Sequence, residues 1–117
     1  MNGIVFFKTR DLARLRTFYL ERIGATIWLD QGDCHIFRHG NFLFGFCDRD
    51  DVDTCGMLTF YYESQDQVDV VYTQLRDIAT TEPVLNEKYN IYQFFAADPD
   101  GRTLEFQFFN HPLPELT

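Results

Sequence analysis

One pattern is written twice in this chain: an apolar strand, an amphipathic helix, then three more strands. Gly3 to Thr9 is apolar and aromatic, which suits a strand buried on both faces. Thr9 or Asp11 then caps a helix. Leu12, Leu15, Tyr19 and Ile23 return at helical spacing, Arg14, Arg16, Glu21 and Arg22 fall largely on the other side, and Gly24 stands where a left-handed C-terminal cap belongs. Three strands are expected next, at 25–30, 34–38 and 42–47, separated by the turn-forming clusters Gln31-Gly32-Asp33 and His39-Gly40-Asn41.

The charged run from Asp48 to Asp53 reads as a solvated linker, and after it the grammar restarts. Met57 to Tyr62 is a strand. Ser64 with Gln67 forms a capping-box signature, and Val68, Val71, Tyr72, Leu75 and Ile78 trace one helical face. A strand near Val84, another from Asn90 to Ala97, the tight turn Asp98-Pro99-Asp100-Gly101 and a last strand from Arg102 to Phe109 complete the copy. Pro112 and Pro114 end regular structure.

Placing Gly40 against Gly101 aligns Asn41-Phe42-Leu43-Phe44 with Arg102-Thr103-Leu104-Glu105, so the halves read as an internal duplication. At 117 residues there is room for one domain of ordinary core size, spanning 1–117, with units at about 1–50 and 54–110. The expected fold is α+β: two tandem β-α-β-β-β units forming a curved mixed sheet around a cleft, with the helices on the outer face.

Composition narrows the partners. A formal charge of −8 argues against nucleic acid and anionic membranes, because phosphate binding needs clustered Lys and Arg. No stretch approaches the roughly 20 apolar residues of a membrane span, and the run Ile4 to Phe7 is too short for a secretory signal core. Three cysteines, odd in number and without a C-x-x-C pair, lead to the expectation of no disulfide framework, no zinc knuckle and a reducing, cytoplasmic setting. Thirteen Phe, six Tyr and one Trp exceed what a small core usually takes, so some of this surface is expected to line a cavity or an interface.

Two segments, Thr9-Arg10-Asp11-Leu12 leading into Phe18-Tyr19 and Ile23-Gly24, and Asp98-Pro99-Asp100-Gly101 followed by Leu104-Glu105-Phe106, resemble the vicinal oxygen chelate superfamily in order and separation. That superfamily contains glyoxalases, bleomycin- and fosfomycin-resistance proteins and extradiol dioxygenases. In its metal-using members four ligand positions lie on the central strands. The resemblance puts them on Ile4, Phe44, Met57 and Glu105. A catalytic divalent site needs about three ligands drawn from His, carboxylate and thiolate, so one carboxylate and one thioether imply that the metal centre is lost and that no cofactor is required. His35 and His39 do not replace it, since four residues along a strand separate them by about 13 Å.

Alternation places Ile4, Phe6 and Lys8 on one face, as it does Phe42, Phe44 and Phe46, Met57, Thr59 and Tyr61, and Thr103, Glu105 and Gln107. The expected ligand-binding residues are therefore Phe6, Phe44, Met57, Thr59, Tyr61, Thr103, Glu105 and Gln107, an apolar pocket with sparse polar groups. The leading expectation is a metal-independent protein, similar to bleomycin-resistance proteins, that sequesters an aromatic or cationic small molecule. Cation–π contact from Trp28, Tyr61 or Tyr92 and the charge of Glu105 would hold it. Two other readings stay open: a metal-dependent lyase, isomerase or dioxygenase with His35, His39 or cysteines converging on Glu105, and a structural or regulatory homodimer with a closed cleft. The resemblance also implies a homodimer, because members with one such domain often complete their clefts or bury sheet edges by pairing, and exposed edges otherwise invite uncontrolled association.

Overall fold

The computed structural model describes residues 1–116. Its chain divides into two compact units, one formed by Met1–Cys55 with Asp98–Gly101, the other by Gly56–Ala97 with the segment that begins at Arg102.

In the first unit, β1 (Val5–Thr9), α1 (Leu12–Phe18), β2 (Thr26–Asp30), β3 (Cys34–His39) and β4 (Phe42–Asp48) form a four-stranded sheet in the order β1-β4-β3-β2. Strands β1 and β4 run parallel, which requires the long connection that α1 begins. Asp11 caps α1 by accepting a hydrogen bond from the Arg14 amide at 3.1 Å. The helix then widens into one π-helical turn, Tyr19–Ile23, and stops at Gly24, whose φ of 82° a side chain would strain. Tyr19 is fully buried at this widening. Its ring stacks on Phe46 at 4.9 Å and meets Phe44 edge-on at 5.3 Å, and its hydroxyl donates to Asp98 Oδ2 at 2.7 Å.

These rings correct the placement of Phe44. Its side chain stacks on Phe37 at 5.7 Å and lies under α1, fully buried, while Phe6 occupies the opposite face of the sheet. A Cβ built on Gly45 would come within 2.7 Å of the Phe6 ring, so that ring lies directly over the glycine. The glycine-to-glycine alignment fails for a countable reason. His39 pairs with Phe42 across two intervening residues, whereas Ala97 pairs with Thr103 across five. An odd difference shifts register by one, and a one-residue shift exchanges the faces. The counterpart of Glu105, which pairs with Thr59 and Phe95, is Gly45, which pairs with Phe6 and Ile36.

The cysteine expectation is corrected as well. Cys34 and Cys47 face each other across β3 and β4 with Cα atoms 4.0 Å apart and form a disulfide, leaving Cys55 free and exposed. An odd count excluded full pairing but not a single bridge, and strand register rather than spacing brought the two together. The cysteines therefore no longer argue for a reducing compartment.

The second unit repeats the topology. Strands β5 (Met57–Tyr61), β6 (Val84–Asn86), β7 (Ile91–Ala97) and β8 (Thr103–Phe109) follow the order β5-β8-β7-β6, with β5 parallel to β8 and α2 (Gln65–Leu75) in the connection. Ser64 Oγ accepts from the Gln67 amide at 3.1 Å, and Gln67 Oε1 turns back to accept from the Glu63 amide at 2.8 Å, which satisfies two otherwise orphaned donors. Val68 and Leu75 bury the apolar stripe of α2. Beneath it Phe106 stacks between Phe94, at 4.9 Å, and Phe60, at 5.5 Å, while Tyr72 meets Phe94 edge-on at 5.2 Å. The fold is thus α+β in tandem β-α-β-β-β units, its strands divided between two four-stranded sheets. Among the described residues no helix is long and apolar enough to cross a membrane.

Two measurements check this architecture. In urea unfolding, Phe44→Ala should cost about 3–5 kcal/mol, as emptying a sealed aromatic site does. Phe6→Ala, at a half-exposed ring, should cost about 1 kcal/mol or less. Equal losses would put both rings in the core. Thiol labelling of the denatured protein should count one free cysteine without reductant and three after reduction. Removing the bridge with Cys34→Ser should lower stability by about 2–4 kcal/mol.

Candidate functional site

Seating Leu104 and Phe106 under α2 forces Thr103, Glu105 and Gln107 to the other face of β8. There Glu105 stands beside Thr59 of β5, its register partner. Thr59 Oγ1 donates to Glu105 Oε1 at 2.8 Å, and Gln93 Nε2 of β7 donates to Glu105 Oε2 at 2.8 Å. Glu105, Gln93 and Gln107 are all buried. A carboxylate taken from water at this depth ordinarily finds a cation. Glu105 instead has only these two uncharged donors among the described residues.

The orientation of Gln93 follows from that arrangement. The amide turns its NH2 toward Glu105 and its carbonyl away. Gln93 Oε1 is left buried with no hydrogen-bond partner. Such orphaned acceptors are uncommon in folded proteins, since each forfeits a hydrogen bond that water would have supplied.

Six of the eight expected residues share this face of the second unit: Met57, Thr59, Tyr61, Thr103, Glu105 and Gln107. Met57 and Tyr61 of β5 are half exposed, at 50% and 48%, and Thr103 of β8 is exposed, so the buried carboxylate has open neighbours on its own face of the sheet. Phe6 belongs to the first unit, over Gly45, and Phe44 is turned to the opposite face of that sheet. Gln93 was missed by sequence reasoning. Its signal was present, as a polar residue at an inward position of the apolar strand Ile91–Ala97, directly across from Gln107.

Tyr92 does not belong to the Glu105 face. It lies one residue out of phase with Gln93, and its hydroxyl donates to Asp69 of α2 at 2.5 Å, a bond that pushes the phenol up to about 12. Trp28 is half exposed on β2 of the first unit. His35 is engaged by Asp30, Nε2 to Oδ1 at 3.3 Å, within that unit. A concavity of about 320 Å³ also lies against α2, walled by Tyr62, Asp66, Gln67, Val70 and Val71. Burial pushes the Tyr62 phenol up to about 12.

With the register corrected, the four positions implied by the resemblance carry Ile4, Gly45, Met57 and Glu105. One carboxylate and one thioether do not make a hard divalent-metal site, which takes about three N, O or thiolate ligands. Among the described residues no group of three or more His, Cys, Asp or Glu is placed to hold a metal ion.

Tandem β-α-β-β-β units with this strand order are the fold of the glyoxalase/bleomycin resistance protein/dioxygenase structures. The chain is similar to an integron cassette protein from the mobile metagenome of a Halifax Harbour sewage outfall, with 19% identity, a TM-score of 0.79 and coverage of 92% of this chain and 97% of that one. It is similar to lactoylglutathione lyase from Agrobacterium tumefaciens at 19% identity and a TM-score of 0.74, covering 92% of each chain. A glyoxalase/bleomycin resistance protein/dioxygenase from Alicyclobacillus acidocaldarius matches at 16% identity and a TM-score of 0.76, over 95% of this chain and 92% of that one. No protein-family model matches the chain, and neither does any curated protein. At these identities the likeness is one of fold.

Proposed function

We propose that this chain is a metal-independent small-molecule-binding protein of the glyoxalase/bleomycin resistance type, holding an aromatic or cationic compound. The observation that carries the reading is Glu105, a buried carboxylate held by neutral donors alone and flanked by the half-exposed Met57 and Tyr61. A carboxylate so placed attracts a cation, because burial weakens the competition from water and strengthens the charge-assisted hydrogen bond. The aromatic ring of Tyr61 adds a surface on which a cation or a flat ring packs. Metal independence is supported by the donor set at the four implied positions. The acidic charge of −8 suits a cationic ligand through long-range attraction.

Mass spectrometry of small molecules retained by the purified protein supplies the compound, and calorimetry of Glu105→Gln supplies the test. That variant keeps size and most hydrogen bonding but deletes the charge, so affinity should fall about ten- to a hundredfold. Unchanged affinity would remove Glu105 from the site. Elemental analysis giving about one Ni, Zn, Mn or Fe per chain would overturn the metal-independent reading.

The proposal includes a homodimer. Short β6 is a sheet edge with Val84 and Leu85 exposed at 57% and 51%, and β2 is another with Trp28 and Leu29 exposed at 51% and 44%. Apolar edges of this kind are usually covered. Light scattering at micromolar concentration should give twice the chain mass of 13.8 kDa, and a monomer mass throughout would dispose of the pairing.

A further inference from the structure

We propose that the Cys34–Cys47 bridge is a reversible thiol-exchange site on the first unit, at which a low-molecular-weight thiolate attacks Cys47 Sγ and Cys34 leaves as the thiolate. The two cysteines are register partners on β3 and β4, so the bond lies across neighbouring antiparallel strands. On its other side Cys47 is the register partner of Lys8 in β1. Partners across β1 and β4 share a face, as the Phe6 ring lying over Gly45 shows two residues earlier. Because Phe46 stacks on Tyr19 of the helical segment, Cys47 points away from it, and the bridge sits on the opposite face of the sheet, one strand in from the β1 edge.

Arg49 distinguishes the two sulfurs. Its Nη1 is held by Asp33 Oδ2 at 3.2 Å and by the Asp48 carbonyl at 2.7 Å, which fixes the guanidinium, and Nη2 is turned to Cys34 Sγ at 3.9 Å. A guanidinium beside a sulfur stabilises it as the thiolate and makes it the better leaving group. A thiolate approaching Cys47 in line with the breaking bond arrives over β1, an edge strand, where the Lys8 side chain is half exposed, at 51%, with its ammonium on Asp51 at 3.3 Å. The incoming sulfur bonds to Cys47 Sγ, the S–S bond breaks, and its electron pair goes to Cys34. A second equivalent of thiol then attacks the mixed disulfide, releasing Cys47 as a thiol and the reagent as its own disulfide, so the pair is reduced by two electrons as two thiols are oxidised. Opening the bridge leaves the strands in place, since the β3–β4 ladder runs on to His39 and Phe42 and β4 is paired with β1 on its other side. Exchange therefore runs in both directions on the folded chain.

The test uses Cys55→Ser, which removes the exposed third thiol, with the unaltered chain as control. Millimolar glutathione is added under native conditions, exchange is stopped with acid, and the mixed disulfide is located by peptide mass spectrometry while circular dichroism follows the fold. The adduct should form in proportion to thiol concentration with the fold retained, and should favour Cys47 over Cys34 by about threefold or more. Arg49→Gln should slow exchange and erase that preference, whereas Arg49→Lys, which keeps the charge, should retain much of it. A bridge that opens only as the protein unfolds overturns the proposal, as does an adduct shared equally between the cysteines or found mainly on Cys34. Unchanged rate and site in Arg49→Gln overturn it too, and the 45% exposure of that side chain makes the variant one that should fold.

Discussion

The aromatic layer under each helix governs what every other side chain in its sheet can do. Side chains alternate strictly along a strand, so seating Phe106 between Phe60 and Phe94 leaves Glu105 and Gln107 no choice but the opposite face. The same constraint in the first unit, with Phe44 and Phe46 held against Tyr19, puts Gly45 where the second unit has Glu105. Burying these rings also stabilises each unit, at roughly 25 cal/mol for each Å² of apolar surface removed from water. The chemistry of the open faces is thus a consequence of how the closed faces pack.

The two copies have diverged on those open faces while keeping their topology. In the second, Thr59, Gln93 and Glu105 form a polar cluster in which both Thr59 and Gln93 donate to the carboxylate and Gln93 Oε1 is left without a partner. In the first, Gly45 and the Phe6 ring occupy the corresponding positions, and the cluster has no counterpart. A Cβ at that glycine would come 2.7 Å from the Phe6 ring, so the ring would have to move to admit one. The fold is therefore duplicated, whereas the candidate binding chemistry resides in one copy.

Much of the architecture was legible before any coordinates. Ser64 and Gln67 marked the start of α2, Gly24 marked the end of the first helix, and the repeated grammar predicted the tandem units. The second-unit face was readable too, since Met57, Thr59, Tyr61, Thr103, Glu105 and Gln107 follow from alternation within two uninterrupted strands. Gln93 was readable in principle but carries no familiar motif. The π-helical widening at Tyr19 had no sequence signal, because an extra residue in a helical turn leaves the apolar spacing nearly unchanged.

What the sequence by itself determined was local: which segments form strands and helices, where they start and stop, and which residues alternate within one strand. Those follow from backbone preferences and side-chain period, and both are properties of short stretches. Only the tertiary structure decided which of the two alternating sets faces the helix. That choice turned on hairpin lengths of two and five residues, whose odd difference moved Phe44 into the core. It likewise decided that Cys34 and Cys47 stand opposite one another, and that the amide of Gln93 reaches Glu105 and leaves its own carbonyl unpaired. Each of these depends on register between strands, which is set by long-range packing and by turn geometry together, and no single stretch of the chain contains it.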